Sequence, residues 1–108
     1  MNFMVENEIS VKDVLDHAVK KHNEGKLLEA KSIYEKILAV LPNNSNALHL
    51  LGLVEYQQGN YERAVSNIKK AIELNSSSAI YYGNLGMVYD SLEDYEESAK
   101  CFERALQL

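Results

Sequence analysis

"LLGLVEYQQGNYERA", residues 50–64, sets a glycine inside an apolar run and a second glycine seven residues later. A glycine in a helix interior costs about 0.5–1 kcal/mol relative to alanine, so its presence needs a reason. The reason begins to show when the stretch is compared with the rest of the chain. Gly52 and Gly86 lie 34 residues apart, in "LLGLVEY" and "NLGMVYD". Gly25 and Gly59 keep the same period, in "NEGKLLEA" and "QQGNYERA". Ala30 and Ala64 follow it with Ser98, Ala71 with Ala105, and Tyr34 with Ile68 and Phe102. A fixed period of this length marks a repeat architecture. The chain divides into a lead-in over residues 1–10 and copies at 11–44, 45–78 and 79–108, the last one shortened.

Each copy reads as two helices. Leu48, Leu51, Leu53 and Val54, then Val65, Ile68, Ala71 and Ile72, recur at the three- and four-residue steps of an amphipathic helix. Ser10 before Asp13, and Asp94 before Glu97, fit helix starts with an acid in the first turn, and Asn60 is a further candidate cap. Gly59 supplies the turn before Asn60, and Pro42 follows the last helix of the first copy, where it cannot extend it. The expectation is an all-α chain of six helices in three antiparallel pairs. Small residues fall where the two helices of a pair cross: Gly52 against Ala64, Gly86 against Ser98, Ala18 against Ala30. The bulkier Leu51, Ile68 and Phe102 are assigned to the space between neighbouring pairs.

Composition narrows the function classes. With 108 residues, 46% hydrophobic and 25% charged, the chain is one globular domain. A net charge of −5 argues against affinity for nucleic acid or an anionic membrane, which rests on Lys and Arg neutralising phosphates. The opening "MNFMVENEIS" lacks a basic start and a long apolar run, so no signal peptide is expected, and no stretch has the length of a membrane span. A cytoplasmic location is the default. Charge is uneven: six basic groups against five acidic in the first copy, three of each in the second, two against six in the third.

The pattern resembles the tetratricopeptide repeat. That family prefers a large apolar residue at its fourth place, leucine-glycine at the seventh and eighth, and tyrosine at the eleventh. Further along it prefers alanine, an aromatic, alanine and proline. Leu48, Leu51-Gly52, Ala64, Ile68 and Ala71 match in the second copy, and Tyr82, Leu85-Gly86, Tyr89, Phe102 and Ala105 in the third. The first copy diverges: Ala30, Tyr34 and Pro42 fit, but His17-Ala18 replaces leucine-glycine and Ile37 replaces alanine. The resemblance implies a right-handed α-α superhelix. In such arrays the first helix of each repeat lines a concave groove. Carried across, the groove residues are Lys12, Leu15, Val19, His22 and Asn23, then Asn46, His49, Leu53, Tyr56 and Gln57. The third copy supplies Ile80, Gly83, Met87, Asp90 and Ser91. Gly83 is expected to leave a notch beside Met87 and His49. Asn84, also counted among the groove residues, is similar to the asparagine that recurs in the arrays of O-linked N-acetylglucosamine transferases. Members that clamp a chaperone's C-terminal carboxylate use cations; Leu15, Val19, Leu50, Ile80 and Asn84 stand at those places here, so that activity is not expected.

Plain packing accounts for the residues that could carry chemistry. His17 takes the place of a core leucine and is expected inside. The three histidines lack the i, i+4 spacing of a metal pair, so no metal is expected. Cys101 has no histidine nearby in sequence, and Gly83 with Gly86 follows no strand, so neither a nucleophile nor a phosphate cradle is supported. The acidic "SLEDYEE" lacks the alternating ligands of a calcium loop. The reading is therefore a non-enzymatic scaffold without cofactors, binding a peptide or helical segment of a protein partner. The alternatives are the recruitment module of a larger enzyme, such as a glycosyltransferase, and a self-assembly module. The third copy stops at Leu108 without a polar capping helix, which should leave Phe102, Leu106 and Leu108 partly uncovered. That favours a fragment of a longer protein, with self-association through this end as a consequence.

Overall fold

The computed structural model describes residues 10–108; of the lead-in only Ser10 is among them, and residues 1–9 lie outside the described residues. Six helices follow one another: α1 Val11–Asn23, α2 Leu27–Val40, α3 Ser45–Gln57, α4 Tyr61–Leu74, α5 Ala79–Ser91 and α6 Tyr95–Gln107. Successive helices pack pairwise, and α3 also touches α1 and α5, so the first helices of the three pairs stand side by side. The array is elongated, 55 × 27 × 20 Å.

Local chemistry sets the helix ends on the same period. Ser10, Asn44 and Ser78 cap α1, α3 and α5, each side chain accepting from the backbone N–H three residues on. This satisfies one of the donors a helix start leaves unpaired. At the turns inside the pairs the chain passes through the left-handed region at Gly25 and Gly59, and at Glu93 with φ 60°. There the N–H of Lys26, Asn60 and Asp94 each returns to the carbonyl five residues back, at 2.8–2.9 Å. Asp94 caps α6 through its side chain as expected. Asn60 does not cap α4: its Nδ2 donates to Glu55 instead, at 2.9 Å, because a buried carboxylate beside it competes for the amide.

Two apolar clusters form the core. Ala18, Ala30 and Tyr34 of the first pair meet Leu51 and Val54 of the second. Leu48, Ala64, Ile68 and Ala71 of the second meet Tyr81, Leu85, Val88 and Cys101 of the third. Leu38 packs against both, tying the clusters together. Each cluster crosses a boundary between repeats, as expected when no pair can bury its apolar face alone.

The small residues are needed for close approach: Gly52 faces the Ala64 backbone as expected and Ala18 shares a buried cluster with Ala30, while Phe102 stands nearest Gly86. A Cβ on Gly52 would stand 2.7 Å from Ile68 Cγ1 and 3.3 Å from the Ala64 carbonyl; on Gly86 it would stand 2.9–3.1 Å from the Phe102 ring. Ile68 therefore covers the glycine of its own pair as well as joining the cluster that meets the third repeat, whereas Phe102 lies over Gly86 and stays 40% exposed. His17 also departs from expectation. Leu51 and Leu85 at the same place are buried against the preceding repeat, whereas His17 is exposed beside Lys21, Leu28 and Glu29. At the far end Phe102, Leu106 and Leu108 are 40%, 88% and 47% exposed.

Candidate functional site

The face built from α1, α3 and α5 is laced by polar contacts that join each helix to the next. His22 Nε2 donates to Gln57 Oε1, and Tyr34 OH reaches His22 Nδ1 at 3.5 Å. Asn84 Nδ2 donates to His49 Nε2 at 2.7 Å. Tyr81 OH bonds Asn46, and Ser91 Oγ donates to Tyr56 OH at 3.2 Å. Four links that join α1 to α3 or α3 to α5 span 35 residues, one more than the repeat, and a fifth, Tyr81 OH donating to Ser45 Oγ at 3.3 Å, spans 36. A side chain on one first helix thus meets the neighbour displaced by one position on the next, which no reading of a single helix face reveals.

Between these links lies a cavity of about 280 Å³ lined by His22, Leu53, Tyr56, Gln57, Asn84 and Met87. All six were expected at the groove, and they come from all three repeats. Its wall is apolar at Leu53, Met87 and the Tyr56 ring, with amides and an imidazole around them. None of these side chains carries a fixed charge. His49 sits beneath, 6% exposed, its ring 4.5 Å from that of Tyr81. Burial holds its pKa down at about 4, so it stays a neutral acceptor for Asn84 at neutral pH.

The other expected groove residues lie apart from the cavity. Lys12 is exposed and pairs with Asp16 at 2.9 Å, and Leu15 packs against the first core cluster. Val19 is half-buried, while Asn23, Asn46 and Ile80 are exposed. Nothing would meet a Cβ on Gly83, so space is open there. Asp90 is turned towards its own pair, accepting from Ser98 Oγ at 2.5 Å. Tyr81, the hydroxyl partner of Asn46, was not among the expected residues. A tyrosine beside the fourth-place Tyr82 hid the fact that the buried ring is Tyr81.

A second polar cluster braces the first pair against the second. Glu55 is 3% exposed and pairs with Lys31 at 2.9 Å, with Arg63 at 3.9 Å and Asn60 completing its shell. Burial pushes its carboxyl up, but Lys31 and Asn60 hydrogen bonds and the charges of Lys31 and Arg63 outweigh that and hold it below the ordinary value. Cys101 is buried, which pushes its thiol up and away from the reactive thiolate. Among the described residues no group of three His, Cys, Asp or Glu could hold a metal, and no helix is long and apolar enough to cross a membrane.

The tetratricopeptide repeat family model matches residues 45–108. The small glutamine-rich tetratricopeptide repeat-containing protein of Dictyostelium discoideum is 33% identical over 98 residues, 90% of this chain and 26% of that protein. A mutant O-GlcNAc transferase of Thermobaculum terrenum superposes with a TM-score of 0.86 and 33% identity, over 89% of this chain and 18% of that one. The first TPR of Spaghetti (RPAP3), bound to the HSP90 peptide SRMEEVD, gives 0.83 and 26% identity over 87% of this chain and 75% of that one. The chain spans only 10% to 26% of the length of the first curated relatives it matches.

Proposed function

The chain belongs to the tetratricopeptide repeat family, and on that premise we propose that it is a non-catalytic scaffold whose α1–α3–α5 face binds a peptide segment of a partner protein. The observation that carries this is the cavity joining His22, Leu53, Tyr56, Gln57, Asn84 and Met87 across all three repeats. A ligand seated there touches every repeat at once. Support also comes from the neighbour whose repeats hold an HSP90 peptide, although no Lys or Arg lines this cavity to grip an acidic terminus. Affinity in such sites concentrates in a few desolvated anchors, here Leu53 and Tyr56. Leu53→Glu puts a charge against that apolar wall, and Tyr56→Ala removes the ring. Immobilised wild-type chain should recover a partner that neither variant recovers; equal recovery by both variants would refute the assignment of this face.

A second reading is favoured by one observation, the likeness to the O-GlcNAc transferase, of which this chain covers a small share. In it the same groove recruits substrates to an enzyme whose catalytic part lies elsewhere. Fusing the chain to an unrelated glycosyltransferase should then accelerate modification of the captured partner, and Leu53→Glu should abolish the gain.

A further inference from the structure

We infer that the cavity reads one internal, uncharged residue of the partner: a leucine- or methionine-sized side chain enters it while Gln57 and Asn84 hydrogen-bond that residue's main chain. The inference rests on the groove reading above and sharpens it to a ligand class. Three observations carry it. The first is size. About 280 Å³ falls at or below the roughly 300–1,000 Å³ of drug-sized sites, which suits one side chain and not a cofactor.

The second is the arrangement of hydrogen-bonding capacity. Gln57 Oε1 is occupied by His22 Nε2–H, which leaves the Gln57 NH₂ as a donor. Asn84 gives one N–H to His49 and keeps its Oδ1 as an acceptor. One donor and one acceptor on the rim of an apolar hollow match the C=O and N–H that a peptide residue offers. His22 and His49 are positioning residues here: each fixes which way its amide faces, and Tyr34 OH holds the His22 tautomer in turn. The third observation is charge. No Lys, Arg, Asp or Glu lines the hollow, so a terminal carboxylate, a terminal ammonium or a charged side chain would lose its hydration without a counter-charge to replace it. The bound residue is therefore internal to the partner's chain.

The probe is N-acetyl-leucine-N′-methylamide, titrated into the isotope-labelled chain and followed by NMR. Shifts should concentrate on the side-chain amides of Gln57 and Asn84 and the methyl groups of Leu53 and Met87. The aspartate analogue should bind at least tenfold more weakly. Gln57→Leu, at an exposed position, should weaken the leucine probe several-fold while the helical circular dichroism spectrum stays that of wild type. His22→Phe should do the same while broadening the Gln57 amide signals. Equal binding of the aspartate analogue, or leucine-probe shifts away from these four side chains, would overturn the inference. If that happened while Leu53→Glu still abolished partner capture, the groove reading would survive and only the anchor class would fall.

Discussion

Gly52 and Gly86 hold the same place in successive repeats, yet an added methyl meets different neighbours. At Gly52 it would press on Ile68 Cγ1 and on the fixed carbonyl of Ala64; at Gly86 it meets only the edge of the Phe102 ring, which is 40% exposed and can swing aside. Overpacking costs about 1–3 kcal/mol, and alanine returns up to about 1 kcal/mol in helix propensity. Gly52→Ala should therefore lower stability by about 1–2 kcal/mol in urea unfolding, while Gly86→Ala should stay within about 1 kcal/mol of wild type. A single residue also sets the acid response. His49 is neutral in the folded chain down to about pH 4 and titrates near 6.5 when unfolded, so unfolding takes up a proton between those values. Its contribution is complete above about pH 6.5 and is lost as the pH falls towards 4, by an upper bound of roughly 3 kcal/mol. Glu55, with its depressed pKa, adds a loss below the ordinary carboxylate range of about 4.5. His49→Gln keeps an acceptor for Asn84 and should flatten the decline above pH 4.5, leaving the steeper acid limb in place.

At the scale of the helix, the period of 34 is carried by the ends as much as by the core. Ser10, Asn44 and Ser78 cap the first helices, and Gly25, Gly59 and Glu93 turn the chain between helices. Glu93 is the departure, a residue with a Cβ in a left-handed conformation that glycine adopts without penalty. Glu93→Gly should raise stability by about 1 kcal/mol in thermal or urea unfolding, an unusual gain for a glycine introduced into a protein. The helices and turns were legible because each leaves a local signal: apolar residues three and four apart, a glycine, a cap. The links between first helices were not, since a contact across 35 residues depends on how far one helix slides past the next. The same limit explains Asn60, whose local cap signal was overridden by Glu55.

Over the whole molecule, two core clusters that each cross a repeat boundary make the array one body, with Leu38 shared between them. That continuity holds α1, α3 and α5 in register, and the register assembles the cavity from side chains far apart in sequence. The groove residues could be named from the repeat pattern, but which six converge could not, because Asp90 and Lys12 find partners beside them. The central claim is that this face, and not the opposite one, receives the partner. Calorimetric titration of a captured partner segment into wild-type chain, Leu53→Glu and the control Leu28→Glu tests it most directly. Leu28 is 75% exposed and does not line the cavity, so its variant should bind like wild type. Leu53→Glu should raise the dissociation constant at least tenfold, the equivalent of about 1.4 kcal/mol. Equal affinities for Leu53→Glu and wild type, or a loss confined to Leu28→Glu, would contradict the account.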